Sequence, residues 1–363
     1  MKIVTKLQQF CHILVTTWRY FCFRNVNQKL FTMKKIFLSL TVLFAISNLL
    51  SAQTTGTSTD TFKPSGKPIV TIFNDFAYNT SNSKSNAAFE LSRAYFGYGY
   101  NFSQNFSGKI VFDVANSAGL NPSAFTAFLK NAFVEYSDRL LTVDMGMIGT
   151  SMFSLQEGIW GKRYLAKTFQ DQYGFGSSAD LGVSAKLQLA PQVSIDAQLL
   201  NGEGFQKVQA DSTLKVAAGL TVKPVTNLVA RVYVDYMKKN VAQKSFNAFL
   251  AYTGENLTLG AEYDMQVGNK MIADHNFSGI SLHATYKTSK SMTIFARFDD
   301  LTSKKIGSST SGWDTADGQL YMAGLEFFPV KGVQVSPNIR YSKPSLSSLH
   351  STTSFDVNVG LNF

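Results

Sequence analysis

The sequence predicts an all-β chain closed into a sixteen-stranded antiparallel transmembrane β-barrel, and three observations predict it. Apolar and polar residues alternate through about sixteen segments, short and long links take turns between them, and tyrosines gather near segment ends on the apolar side. Side chains alternate across a strand, so each segment has one apolar face and one polar face. "DLGVSAKLQL" sets Leu181, Val183, Ala185, Leu187 and Leu189 against Asp180, Gly182, Ser184, Lys186 and Gln188. "LTLGAEYDMQ" and the terminal "FDVNVGLNF" repeat the pattern. The segments run near 68–78, 89–100, 107–116, 125–136, 140–150, 179–189, 192–202, 213–222, 227–237, 245–253, 257–266, 277–286, 291–299, 318–328, 332–341 and 353–363. Roughly ten residues is what a tilted strand needs to cross a bilayer, whereas strands of soluble proteins average five or six. The count is even, as single-chain bacterial barrels require.

Ahead of the first strand lies a leader. Lys34 and Lys35, the apolar run Ile36 to Leu50 and then Ser51-Ala52 read as a secretory signal at 33–52, with charged, apolar and small-residue parts in order. Residues 1–32 read as an upstream extension outside the mature protein, 53–67 as a flexible Thr/Ser/Gly-rich lead and 68–363 as the barrel. The net charge of +10 belongs mostly to the leader, because Lys2, Lys6, Arg19, Arg24, Lys29, Lys34 and Lys35 precede Gln53 and no acidic residue does. A nucleic-acid partner is therefore not expected. Cys11 and Cys22 fall in the leader as well, which leaves neither a disulfide framework nor a thiolate metal site.

Within the barrel, tight links such as Ser137 to Arg139, Ala190-Pro191, Lys223 to Thr226, Gly254 to Asn256, Lys287 to Lys290 and Pro329 to Lys331 take turns with longer ones. The longer ones include Ser151 to Ser178, Gly268 to Asn276 and Asp300 to Asp317. Short inner turns and long outer loops give this rhythm in a closed meander. A Greek-key sandwich has no reason to keep it. Tyr78, Tyr98, Tyr100, Tyr136, Tyr236, Tyr252, Tyr286, Tyr341 and Phe363 lie near strand ends on the apolar face, where aromatic girdles meet headgroups. Pro337 falls mid-strand on the same face, where it forfeits a ladder hydrogen bond, and a bulge is expected there.

"FELSRAYFGYGYNFSQNFSGKIVFDV" (Phe89 to Val114), "FQDQYGFGSSADLGVS" (Phe169 to Ser184) and "LLNGEGFQK" (Leu199 to Lys207) resemble the Bacteroidetes-type porins grouped with the phosphate-selective porins O and P. The resemblance spans Pro68 to Phe363. It implies a trimeric channel in the lipids of the bacterial outer membrane, with the third outer loop folded inward. It also implies that the terminal aromatic Phe363 is the tag read by the barrel-assembly machinery.

Sixteen strands leave an aqueous lumen, and function is expected in what lines or narrows it. The longest link, "SMFSLQEGIWGKRYLAKTFQDQYGFGSS", carries Lys162, Arg163 and Lys167 against Glu157 and Asp171. If it lines the constriction, weak anion preference follows. Inward wall positions offer Arg93, Lys109, Lys186, Lys215, Arg231, Arg297 and Arg340, and also Asp113, Asp144, Asp180, Asp196, Asp235, Glu262, Asp264, Asp299, Glu326 and Asp356. Phosphate-selective members owe their preference to an arginine ladder and lysine clusters. The mixed wall here fits passive diffusion of small hydrophilic solutes and ions better. A barrel acting only as an anchor or adhesin is the alternative, and it predicts no conductance. A hydrolase would rest on His275, His283 or His350, with Ser281 beside His283, without the orienting partner and oxyanion donors that hydrolysis needs. No cofactor and no metal site is expected.

Overall fold

Each strand bonds to its neighbours in chain order until β1 (Ser65–Ser81) meets β16 (Thr352–Asn362) and the sheet closes. The computed structural model describes residues 62–117, 121–303 and 315–363, so the expected signal peptide and upstream extension lie outside the described residues. Between the closing strands run β2 (Lys84–Asn101), β3 (Phe106–Ser117), β4 (Asn121–Ser137), β5 (Leu141–Gly149), β6 (Ala179–Ala190), β7 (Val193–Leu200) and β8 (Lys215–Val225). They are followed by β9 (Leu228–Lys238), β10 (Ala242–Thr253), β11 (Leu257–Val267), β12 (Phe277–Ser289), β13 (Met292–Ser303), β14 (Gly318–Phe327) and β15 (Val333–Pro344). Every pairing is antiparallel. No described helix is long and apolar enough to cross a membrane.

Alternation sets the two surfaces. On β9, Val232, Val234 and Tyr236 point outward and are exposed, while Arg231, Tyr233 and Asp235 point inward and are buried. Outward aromatics cluster at both rims: Tyr98, Tyr100, Tyr252, Tyr286 and Phe363 at the end carrying both termini, Tyr78, Tyr236, Tyr321 and Tyr341 at the other. The closing seam includes the last residue, for Phe363 exchanges two backbone hydrogen bonds with Val70, at 3.0 and 3.1 Å.

Three expectations change. The barrel begins at Ser65 rather than residue 68, since Ser65 to Ile69 extend β1 along β2. The rhythm of links is uneven: the outer links after β5, β7, β11 and β13 are long, but those after β1 and β9 are as tight as the inner turns. The first is the pair Asn82-Ser83, with φ of 48° and 60°, a left-handed turn that matches strand twist. Pro337 causes no bulge. The pairing of β14 with β15 keeps one register on both sides of it, through Gly324 with Asn338 and Phe327 with Val335. The Ser336 hydroxyl donates to the Leu325 carbonyl at 2.6 Å, and so supplies a donor where the proline has none.

Candidate functional site

The long link after β5 turns into the barrel and folds there. It holds α1 (Ser154–Trp160) and α2 (Phe169–Gln172). Gly161, at φ 64°, ends α1 in the left-handed conformation and returns its N–H to the Glu157 carbonyl at 2.9 Å, as helix termini commonly do. Helices this short are not stable alone. Their support is the wall: Trp160, Tyr164 and Leu165 pack against Phe73, Phe295 and Met322, while Met152, Phe153, Phe169 and Phe175 pack against Tyr233, Phe277 and Leu301. Leu155 and Ile159 rest on Val229, Phe249 and Ala251. Each large apolar side chain removed from water contributes about 1.5–3 kcal/mol. The strands from β8 round to β1 therefore share a hydrophobic core with the loop.

Three wall arginines tie the loop backbone into place. Arg231 donates to the Ser151 carbonyl at 2.9 Å, Arg297 to that of Lys167 at 2.6 Å and Arg340 to that of Leu165 at 3.0 Å. Each is also paired with a wall carboxylate: Arg231 with Asp196 at 2.6 Å, Arg297 with Asp299 at 2.8 Å and Arg340 with Asp356 at 2.6 Å. The Arg297 guanidinium additionally lies 5.3 Å from the Trp160 ring centre. Carboxylates anchor the loop in the same way. Glu326 accepts from Lys162 at 2.5 Å, Tyr164 at 3.0 Å and Thr293 at 2.8 Å. Asp264 accepts from Gln170 and from Asn247, and Asn247 in turn accepts from Gln156 at 2.9 Å. Glu262 is buried beside them.

These contacts reassign several expected pore charges. Lys162 is only 5 % exposed, so its charge is spent on Glu326 rather than presented to a solute. Arg163 bridges Glu157 at 3.2 Å and Asp171 at 3.0 Å, and Lys167 lies 3.7 Å from Asp171. Burial pushes the Lys167 ammonium below its ordinary value, Asp171 opposes this, and the cations Arg163, Arg93 and Lys130 add to it. On the wall, Arg93 pairs with Asp113, and Lys215 stands 4.0 Å from Asp235. Asp180 accepts the Gly202 N–H at 2.8 Å and so fixes the start of the link after β7. Ser281 donates to Asp299 at 2.7 Å, whereas His283 lies against the Trp160 ring, so the two do not form a dyad.

The opposite wall is open. Between the loop and β3 to β9 lies a polar cavity of about 700 Å³, lined by Lys109, Lys130, Asp144, Lys186, Gln188 and Arg231 among others. A second, of about 490 Å³, lies toward the outer mouth and is lined by Arg93, Arg163, Lys167, Asp171, Phe205 and Lys270 among others. Ser178 borders both. Asp144 accepts from Ser184 at 2.8 Å and faces Glu135 across the β4–β5 ladder. Lys109 and Lys186 reach water in the lumen.

Sequence reasoning missed Lys130 and Glu135, the amides Gln156, Gln170, Asn247 and Gln266, and the apolar residues at inward positions. The last carry a readable signal: Val229, Tyr233, Phe249, Phe277, Phe295 and Leu301 interrupt the polar face, and a water-filled lumen does not need them.

A closed sixteen-stranded barrel with an apolar outer belt and an inward loop is the fold of outer-membrane porins. The chain superposes on the outer-membrane channel DcaP of Acinetobacter baumannii with a TM-score of 0.61 at 13% identity, covering 85% of this chain and 100% of that one. With OmpF of Salmonella typhi, solved with daunomycin, the TM-score is 0.63 at 11% identity over 82% and 97%. An anion-selective porin from Comamonas acidovorans gives 0.61 at 11% identity over 83% and 100%. No protein-family model matches the chain, and no curated protein matches it.

Proposed function

We propose that this chain is a passive diffusion channel of the bacterial outer membrane for small hydrophilic solutes and ions, with weak anion preference. The observation that carries this reading is the divided lumen. One side is packed and ion-paired, while the other keeps a polar cavity in which Lys109, Lys130 and Lys186 line the wall with Asp144. A small cationic excess in a narrow, wet passage favours anions modestly. The preference is assigned to these wall lysines and no longer to the loop cations, because Lys162 pairs with Glu326 and Arg163 and Lys167 share Asp171. The phosphate-selective relationship suggested by the sequence gains no support from Arg231, Arg297 and Arg340, because each is occupied by a carboxylate and a loop carbonyl. Phosphate is accordingly one test anion among several.

Assembly as a homotrimer, with insertion by the barrel-assembly machinery through Phe363, completes the reading; a structure with this fold, OmpT of Vibrio cholerae, is described in a trimer form. Recording from the purified protein in a planar bilayer tests the proposal. Stepwise conductance, with a reversal potential on the chloride side in a KCl gradient, is expected. A folded, inserted protein that carries no current would instead favour an anchoring role.

A further inference from the structure

One lumen cation stands at a break in the alternation of β4. Along β4, Phe125 and Leu129 point outward and so does Val134, which puts the outward positions on odd numbers before Lys130 and on even numbers after it. The slip is a β-bulge. Val111 pairs with Asn131 and Phe112 pairs with Leu129, so Lys130 is the residue without an opposite number on β3. Both Lys130 and Asn131 consequently line the 700 Å³ cavity. Bulges re-aim side chains and are over-represented next to functional sites. A second bulge, at Ser92 on β2, lies beside Arg93: Phe73 pairs with Arg93 and Asn74 with Leu91.

Lys130 differs from the ion-paired lumen cations in having no carboxylate partner among the described residues, and from Lys109 and Lys186 in being held by aromatic rings. Arg93 is neutralised by Asp113, Arg163 and Lys167 share Asp171, and Arg231 is held by Asp196. Among the described residues, the polar partner of Lys130 is the Tyr95 hydroxyl at 3.0 Å. Its ammonium also lies 4.4 Å from the Tyr95 ring centre and 5.7 Å from that of Phe205. Aromatic faces hold a cation without cancelling its charge. Phe205 belongs to the outer cavity and Lys130 to the inner one, so the cation stands where the two meet. It is close enough to Lys167 on one side and Lys109 on the other to repel both.

We infer that Lys130, aimed inward by its bulge and kept unneutralised by Tyr95 and Phe205, is the specificity-determining cation of the passage, acting on small anions as they move between the two cavities. The inference rests on the channel reading. A unit charge about 4 Å from an ion in water alters its local concentration about fivefold, so one such cation suffices for a measurable preference. The test is the reversal potential of inserted protein in a KCl gradient. Lys130→Gln is expected to lower the chloride-to-potassium permeability ratio severalfold, Lys130→Glu to lower it further, and Lys130→Arg to stay near wild type. Tyr95→Phe, which removes the hydroxyl acceptor but keeps the ring and the charge, should give a smaller change of the same sign. Deleting Lys130 removes the bulge and should match Lys130→Gln. An unchanged reversal potential in Lys130→Gln, or equal shifts in Lys130→Gln and Lys130→Arg, would overturn the inference while leaving the channel intact. A silent wild type would instead overturn the channel reading. If the Lys130 variants fail to insert, Tyr95→Phe decides: an unchanged potential there counts against the assignment.

Discussion

The strands from β8 round to β1 and those from β3 to β7 alternate alike apart from the bulge at Lys130, yet they present opposite chemistries to the lumen. On the first arc inward positions carry Tyr233, Phe249, Phe277, Phe295 and Leu301, and its charges are locked against partners or against the loop. On the second they carry Lys109, Asn131, Asp144, Ser184 and Lys186, open to a cavity. Alternation therefore fixes which residues face inward, but not whether they meet water. What decides is the loop from Thr150 to Ser178, which turns half of the lumen into a protein core. Arg231, Arg297, Arg340 and Glu326 on the packed arc are structural elements, whereas Lys109 and Lys186 on the open arc remain available to a solute.

The largest expected effect tests the packed arc. Arg297→Ala leaves the fully buried Asp299 without its cation and removes the donor to the Lys167 carbonyl. Breaking a buried pair from one side costs about 3–5 kcal/mol. We expect a lower urea midpoint and new protease cleavage between residues 150 and 178. Wild-type resistance to cleavage would mean that the loop is held without this clamp.

The next effect separates the inside of the wall from the outside. Val232 lies midway along β9, exposed on the outer face, so Val232→Lys places an ammonium in lipid at a cost of about 2–4 kcal/mol near the midplane. Ser184→Lys points into the 700 Å³ cavity, beside Asp144, and should refold into lipid with wild-type yield. Similar yields from the two variants would break the assignment of faces.

Deleting Phe363 probes the seam between the arcs. The change removes an exposed rim aromatic and two backbone hydrogen bonds to Val70, each contributing about 0.5–1.5 kcal/mol. Outer-membrane levels in cells should fall more than the refolding yield in detergent, because the terminal residue then serves assembly as well as stability. Equal losses in both assays would reduce its role to stability alone.

The strands were legible because alternation is a local consequence of burial; all sixteen expected segments overlap the observed ones. The bulge at Lys130 was not, because Phe128 and Leu129, and again Phe133 and Val134, are adjacent apolar residues, and composition does not tell which of each pair faces outward. The two short helices were not, because their stability comes from wall contacts rather than propensity. Nor were the pairings of the loop. Lys162 and Glu326 are separated by 164 positions, and only the closed barrel brings them together. The error over Lys162 has that cause: the composition of a loop gives its charges but not which of them the wall neutralises.

The smallest expected effect is the most discriminating. Lys186 lies on the open arc, exposed to the cavity, with no carboxylate within 4.0 Å among the described residues. Substitutions at such positions change stability by no more than about 0.5 kcal/mol, so Lys186→Ala should unfold at the wild-type urea concentration. Its charge acts on ions across water, where the Debye length is about 8 Å at physiological salt. The reversal potential should therefore move slightly toward potassium, by less than in Lys130→Gln, and the difference from wild type should shrink as salt rises. Arg297→Ala is expected to behave in the opposite way in stability, with a large loss. If Lys186→Ala instead destabilises the barrel as strongly as Arg297→Ala, the open arc is also built as a core, and the division of the lumen into a packed and a conducting side does not hold.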